Sequence, residues 1–279
     1  MRNRIIGLLL ILSLTIQAQT NKEIVVLHIN DTHSRIEPMP ANDSRNANKG
    51  GMIRLEAAVE NERKENKNVL LLHSGDLVQG TPYFNVFKGR AEVEILNFMK
   101  VDAAAIGNHE FDYGLDVLKD MVELATFPFL STNLDFSETN LDGMTHEYII
   151  LKKDGINIGL IGLTPNPDGL VAKDNYKGMI FLDPIESANK TADHLRNDKK
   201  CDLIICLSHL GYYTHENAMG DIRLAKNSRN IDIIIGGHTH FVPGKPHYVY
   251  NADGKPVLID QAGGLGLDIG RIEVKMEEE

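Results

Sequence analysis

The stretch "AAAIGNHEFDYG", Ala103 to Gly114, joins a run of small apolar residues to a dense group of polar ones. The apolar run is typical of the end of a buried strand, and four polar residues follow within five positions: Asn108, His109, Glu110 and Asp112. Burying such groups without partners costs roughly several kcal/mol. Something must therefore hold these side chains in place, and we expect a site at the end of this strand.

The same arrangement, an apolar run that ends in polar residues, recurs along the chain and alternates with helical patterns. Seven runs have the composition of strands: Glu23–Asp31, Asn68–Asp76, Val101–Asn108, Asn157–Thr164, Asp202–His209, Asp232–His238 and Pro256–Gly263. Residues 50–67 and 186–198 have helical spacing with charged outer faces. The alternation predicts an α/β fold. Because no repeat or low-complexity linker interrupts it, we expect one domain over residues 19–279.

The N-terminal residues resemble a targeting segment. Arg2 and Arg4 precede an apolar run from Ile5 to about Ile16, and a small residue follows at Ala18. This layout predicts a secretory signal peptide over residues 1–18 and an exported protein, periplasmic or extracellular. An uncleaved anchor is the alternative, although the run is short for a span of ~20 apolar residues. No other segment predicts a membrane span, so we expect none in the mature chain.

Charge and cysteine content narrow the class of function. Removing residues 1–18 takes two arginines from the 29 basic residues, which leaves 27 basic against 39 acidic residues and changes the formal net charge from −10 to −12. Such a chain is a poor ligand for a nucleic acid polymer, because that binding depends on basic side chains. A phosphate group must instead be held locally, by a metal or a helix N-terminus.

Cys201 and Cys206 lie in one predicted strand, too far apart for a disulfide, so we expect free thiols.

Side chains able to bind metal follow five of the predicted strands. They are Asp31, His33, Asp76, Asn108, His209, His238 and His240. Ligands collect beyond the carboxyl ends of strands in α/β sheets, so these residues can converge. Two carboxylates, an amide oxygen and four imidazoles suit Zn, Mn, Fe or similar divalent ions better than calcium. Seven groups exceed the needs of one ion, and two ions that share a carboxylate, roughly 3.5–4 Å apart, fit the number better.

Local spacing refines this hypothesis. In an extended segment, residues at i and i+2 point to the same side, which predicts that Asp31, His33 and His240 grip one ion. Glycines next to the ligands would let the backbone turn sharply: Gly75, Gly107, Gly236 and Gly237. A single histidine is more often an ordinary hydrogen-bonded residue, and we interpret His28 and His73, inside apolar strands, in that way. Five strand ends that all carry ligand types are hard to attribute to coincidence.

Five blocks in this order carry a resemblance to a known family: "HINDTHSRIEP", "SGDLVQGTPYFNVFKG", "IGNHEFDYG", "LSHLGY" and "GGHTH". Together they closely resemble the metallophosphoesterase domain of the 5′-nucleotidase family, within the calcineurin-like superfamily. The resemblance runs from about Glu23 to Val274. It implies a four-layer αββα sandwich with two mixed β-sheets and a dinuclear metal centre at one edge.

The resemblance also implies a role for each matching residue. One metal would take Asp31, His33, Asp76 and His240, and the second would take Asp76 as a bridge together with Asn108, His209 and His238. Some members have glutamine at the position of His240, so the imidazole here could change the metal preference.

The chemistry implied is hydrolysis by a water that bridges the two ions, loses a proton near neutral pH and attacks phosphorus in line. His109 would face the substrate and stabilise charge on the phosphoryl oxygens or the leaving group, and Asp112 would orient its ring. We expect Glu110 to be structural.

The implied substrate is a small phosphate ester, most simply a nucleotide. Members of the family usually carry a C-terminal domain that binds the base and the phosphate, and we expect no such domain in residues 1–279. We therefore expect either a separately encoded partner domain or low selectivity. Two alternatives stay open at this stage. One is a 2′,3′-cyclic-nucleotide phosphodiesterase or nucleotide-sugar pyrophosphohydrolase, and the other is a metal-binding subunit with little turnover.

Overall fold

The computed structural model describes residues 22–213, 215 and 218–276. The strands in this part of the chain are β1 Lys22–Ile29, β2 Val69–His73, β3 Ala103–Ala105, β4 Phe129–Leu130, β5 Leu134–Asp135, β6 Tyr148–Lys153, β7 Ile156–Leu163, β8 Ile180–Phe181, β9 Leu203–Ser208, β10 Ile233–Ile235, β11 His247–Tyr250, β12 Pro256–Asp260 and β13 Gly270–Met276. The helices are α1 Met52–Glu65, α2 Pro82–Phe87, α3 Arg90–Phe98, α4 Gly114–Leu124, α5 Pro184–Asn197 and α6 Asp221–Asn227. The predicted signal peptide lies outside the described residues, and export stays a prediction.

The strands form two mixed sheets and a small two-stranded ribbon. The first sheet has the order β13-β1-β2-β3-β4, and the second has the order β11-β12-β10-β9-β7-β6. The central strands of each sheet are parallel, whereas β13, β11 and β6 pair antiparallel at the edges. Strands β5 and β8 form the ribbon.

Three apolar layers hold the sheets and helices together. Alternate residues of β1 show the arrangement, because Ile24 and Val26 pack against the second sheet, whereas Val25 and Leu27 face helices α1, α3 and α4. On the outer face of the second sheet, strands β7, β9 and β10 pack against α5 and α6. The predicted four-layer αββα sandwich is therefore confirmed.

The predicted free thiols are also found. Cys201 and Cys206 are both buried and unpaired, and they pack in the layer between the second sheet and its helices. None of the helices that the structure describes is long and apolar enough to cross a membrane.

Parallel strands place the candidate ligands. Because β1, β2 and β3 run in the same direction, the loops that follow them leave the first sheet at one edge. Strands β9 and β10 are likewise parallel to each other in the second sheet. The two sheets pack face to face, and the loops after these five strands meet at a common edge.

Candidate metal centre

The structure brings the predicted ligands together at this edge. Asp31, His33 and His240 form one group, and Asp76, His209 and His238 form a second; in each group the ligand atoms lie within 4.8 Å of one another. The residues come from the loops after β1, β2, β9 and β10. Segments that are remote in the sequence thus converge as their position at strand ends predicts.

In the first group, imidazole nitrogens face each other. The Nε2 atoms of His33 and His240 are 2.9 Å apart, and His240 Nε2 lies 3.3 Å from Asp31 Oδ1. Two nitrogens bound to one ion at ~2.1 Å and at a right angle are about 3.0 Å apart. The spacing therefore suits two ligands of a shared cation.

Asp76 lies between the two groups. Its Oδ2 atom is 2.9 Å from His209 Nε2 in the second group and 3.9 Å from His33 Nε2 in the first. The rings of His209 and His238 stand edge to face, with centroids 5.2 Å apart. A carboxylate in this position can contact an ion in either group.

Backbone carbonyls orient two of the rings. His33 Nδ1 lies 3.2 Å from the carbonyl oxygen of Val78, and His209 Nδ1 lies 2.6 Å from that of Ser74. A carbonyl oxygen only accepts, so Nδ1 is the donor in both rings, and Nε2 is the nitrogen that the neutral ring offers to a metal. Histidines that bind metal are typically held in this way.

Buried polar atoms at the centre lack partners. In the described part of the chain, Asn108 Oδ1 and His209 Nε2 are buried and have no hydrogen-bond partner, although His209 Nε2 is close to Asp76. Leaving a buried polar atom unpaired costs roughly 1–3 kcal/mol. The residues on either side of Asn108 in the sequence, Gly107 and His109, both lie against Asp76, so Asn108 is next to the second group of ligands. The orphaned atoms, together with the nitrogen and oxygen donor set, fit bound divalent cations.

Burial and the nearby carboxylates shift the pKa values of the candidate histidine ligands in opposite directions. Burial lowers the pKa of both His33 and His238, which keeps these rings neutral at neutral pH. Burial would also lower the pKa of His209, but the Asp76 carboxylate outweighs it and raises that pKa to about 10. The negative charge of Asp76, which favours a proton on His209, would favour a metal cation at the same place.

Five of the seven predicted ligands have left-handed backbones. Their φ angles are 50° for Asp31, 46° for His33, 56° for Asp76, 70° for His238 and 50° for His240. Such conformations cost about 1 kcal/mol or more in residues other than glycine and cluster at functional sites. The expectation that the Asp31–His33 and His238–His240 segments are extended is wrong. Both segments turn, and it is the turn that aims their side chains at the centre.

Most of the glycines next to the candidate ligands are needed because a side chain at their positions would collide with atoms of the site. A Cβ on Gly107 would lie 2.2 Å from Asp76 Oδ1, and one on Gly237 would lie 2.7 Å from the carbonyl oxygen of Ser74. Of the four predicted turn glycines, only Gly75 has a positive φ, at 88°. The sharp-turn explanation therefore holds for Gly75, and close approach of neighbouring atoms explains the other three.

His109 and Asp112 form a pair at the rim of the centre. His109 Nδ1 lies 2.8 Å from Asp112 Oδ2, and both side chains are partly exposed. Burial lowers the pKa of His109, but the hydrogen bond that its ring donates to Asp112 and the charge of Asp76 outweigh this effect and raise that pKa above its ordinary value. His109 also lies close enough to His33 and Asp76 to share an ion with them. A raised pKa favours the protonated ring, which binds no metal.

Sequence reasoning missed the residues that support the ligands. Glu110 is fully buried and accepts hydrogen bonds from three backbone N–H groups, those of Asp76, Leu77 and Gly107. This agrees with the structural role expected for it, although no pattern in the sequence indicates which groups it binds. Asn30 donates to Asp31 Oδ2 at 2.6 Å and accepts from the N–H of Ala262.

The centre opens to solvent through a cavity of about 310 Å³. Four of the predicted site histidines line this cavity: His33, His109, His238 and His240. Asp76, Gln79, Gly80 and Leu265 form the rest of its wall. A small anion that enters this cavity meets the candidate ligands on one side and His109 on the other.

Comparisons with known proteins agree with this geometry. Residues 24–242 match the calcineurin-like phosphoesterase family. Protein 5NUC of Lutzomyia longipalpis is 33% identical over 88% of the chain and 44% of its own length. A trifunctional nucleotide phosphoesterase protein of Bacillus subtilis is 30% identical over 92% of the chain and 18% of its length. The crystal structure of a 5′-nucleotidase precursor from Thermus thermophilus superposes with a TM-score of 0.82 and 35% identity, over 90% of this chain and 51% of that one.

The chain spans about half the length, or less, of the curated relatives it matches.

Proposed function

The chain belongs to the calcineurin-like phosphoesterase family, and on this premise we propose that it hydrolyses phosphate monoesters of nucleotides with two divalent metal ions. Two observations support the substrate class. Relatives that share this part of the chain are called 5′-nucleotidases or nucleotide phosphoesterases. The acidic net charge of −10 also favours a small ester over a nucleic acid polymer.

The position of Asp76 between two groups of ligands carries the proposal. Asp31, His33 and His240 would hold one ion, Asn108, His209 and His238 would hold the other, and Asp76 would touch both. Divalent ions supply two effects when bound, since they lower the pKa of water and neutralise charge on phosphoryl oxygens.

His109 and Asp112 complete the proposed chemistry. Because Nδ1 of His109 is bonded to Asp112, its Nε2 atom is the one available to a ligand. In the protonated ring, Nε2–H donates to a phosphoryl oxygen or to the oxygen of the departing alcohol, whose negative charge grows as the ester bond breaks. Asp112 holds the ring in that orientation and stabilises its positive charge.

Phosphate release by the purified protein with Mn²⁺ or Zn²⁺ tests the proposal. The substrates are 5′-AMP, a 2′,3′-cyclic nucleotide, and aryl phosphate mono- and diesters. We expect 5′-AMP to be hydrolysed with a higher kcat/KM than either diester. A preference for the diesters would favour the phosphodiesterase alternative. No turnover with both ions bound would favour a metal-binding subunit.

Removing the ions should destabilise the fold. A ligand that binds only the folded state, at a free concentration about 1,000 times its Kd, adds about 4 kcal/mol to the free energy of unfolding. For a chain of this size we expect a chelator to lower Tm by about 10 °C. Differential scanning calorimetry before and after EDTA measures the change, and adding Mn²⁺ or Zn²⁺ back should restore it. An unchanged Tm after verified removal of metal would contradict a shared folded site.

A further inference from the structure

A second cavity adjoins the metal centre. Its volume is about 540 Å³, within the range of small-molecule sites. Its walls come from the loop after β2, the start of α2 and the residues before α4: Gln79, Gly80, Thr81, Pro82, Phe84, Asn85, Asp112 and Tyr113. Gln79 and Gly80 line both cavities, and Asp112 in the second is bonded to His109 in the first. We call it the side cavity; a molecule held at the metal centre can extend into it.

Tyr113 presents a fixed aromatic surface in the side cavity. Its residue is 40% exposed, yet the ring contacts buried Phe84 edge to face with centroids 4.8 Å apart. The hydroxyl group donates to Asn85 Oδ1 at 3.1 Å. The Lys88 ammonium lies 3.2 Å from the ring centroid and covers that face of the ring, so a planar group that stacks on this face must displace the flexible Lys88 side chain. A ring held in this way costs little entropy when a planar group binds against it.

The remaining walls favour an uncharged ligand. Among the described residues that line the side cavity, Asp112 is the one ionisable carboxylate and none is basic. Thr81, Asn85 and Gln79 add neutral hydrogen-bonding groups. The Lys88 ammonium borders the side cavity at the Tyr113 ring but is not one of its walls, so a second phosphate on the leaving group would face the Asp112 carboxylate. A neutral group with a planar ring would find both stacking and hydrogen bonds.

The backbone at the junction of the two cavities is strained. Gln79 has a φ of 84°, in the left-handed region that a residue other than glycine adopts at a cost. The preceding residue, Val78, accepts the hydrogen bond that orients His33. One short segment therefore links a candidate metal ligand to the wall of the side cavity.

We infer that the side cavity binds the neutral, planar leaving group of the ester, such as the nucleoside of a nucleotide monophosphate, with Tyr113 stacking against its ring. The inference rests on the proposed function for the position of the phosphate. It assigns Tyr113 as a specificity-determining residue and Gln79 as a contact at the junction between phosphate and leaving group.

Paired substrates and variants test this assignment. Stacking of a base on an aromatic side chain contributes roughly 1–3 kcal/mol, so we expect Tyr113→Leu to lower kcat/KM for 5′-AMP by about tenfold. Tyr113→Phe keeps the ring and should keep most of the activity. Glycerol 3-phosphate has no ring, and its hydrolysis should change less than about twofold in either variant. Tyr248→Leu, which removes an exposed tyrosine from β11, is the matched control and should leave both substrates unaffected.

Binding of adenosine gives a readout that does not depend on turnover. Saturation-transfer NMR should show adenosine bound to the wild-type protein and to Tyr113→Phe, and weaker binding to Tyr113→Leu. If the wild-type protein binds adenosine through Tyr113 but hydrolyses neither ester, the side cavity stands and the proposed function fails. Equal binding by wild type and Tyr113→Leu, equal losses on both esters, or no adenosine binding would each overturn the assignment.

Discussion

Replacing His109 by alanine is expected to lower kcat for 5′-AMP by roughly 10²–10⁴-fold, the range for general acid–base groups. The ring lies at the rim of the centre, bonded through Nδ1 to Asp112, and its pKa is raised above the ordinary value. A protonated imidazole there has a donor for the phosphoryl or leaving-group oxygen and no lone pair for a metal. We therefore expect the variant to lose rate and to retain both ions.

Metal analysis of the same samples distinguishes the two roles that His109 could have. Because His109 lies near His33 and Asp76, a ligand role predicts a lower metal content in the variant. His194→Ala is a matched control, since His194 makes a similar bond through Nδ1 to Asp198 at 2.7 Å on the surface of α5. It should change neither rate nor metal content. A metal-depleted His109→Ala protein would place His109 among the ligands.

Whether the sequence predicts a strand depends on how deeply that strand is buried. All seven predicted strands are present, because central strands of packed sheets are buried on both faces and form continuous apolar runs. Six strands are missing from the predictions. Four of them, β4, β5, β8 and β11, are short and lie at a sheet edge or in the two-stranded ribbon, and the other two are β6 and β13. Both lie at sheet edges, and half-exposed residues interrupt their apolar pattern. Helices α2, α3, α4 and α6 were missed for a different reason. They have 6 to 11 residues, whereas the predicted helices α1 and α5 have 14, and a shorter helix shows fewer repeats of the helical pattern.

At the site, residue types were predictable and backbone conformations were not. The position of ligand-type residues after strands is visible in the sequence, whereas the left-handed backbone of Asp31, His33 and Asp76 is imposed by contacts from remote loops. One such contact is that of Glu110, whose carboxylate fixes the N–H groups on both sides of the Asp76 turn. The side cavity was missed as well, because Gln79 and Tyr113 are 34 positions apart and no spacing rule connects them.

Asp76→Asn should remove most metal binding and, with it, most activity. The amide has the size of the carboxylate and can still accept the N–H of His109, which lies 3.0 Å from Asp76 Oδ1, so the loop should keep its fold. It lacks the negative charge that lies between the two groups of ligands. With its oxygen accepting from His109, it would also place an NH2 group, which cannot bind a cation, where Asp76 Oδ2 faces both groups.

The loss in metal affinity should exceed the ~10–100-fold that follows removal of a residue that only supports a ligand. Isothermal titration with Mn²⁺, with metal content measured after dialysis, gives the affinity and the number of ions. Asp260→Asn is the control, because Asp260 pairs with His28 near the same edge of the sheets but belongs to neither ligand group. If Asp76→Asn still bound two ions with unchanged affinity, Asp76 could not be the shared ligand. The two groups would then be separate sites, and paired-ion hydrolysis would lose its structural basis.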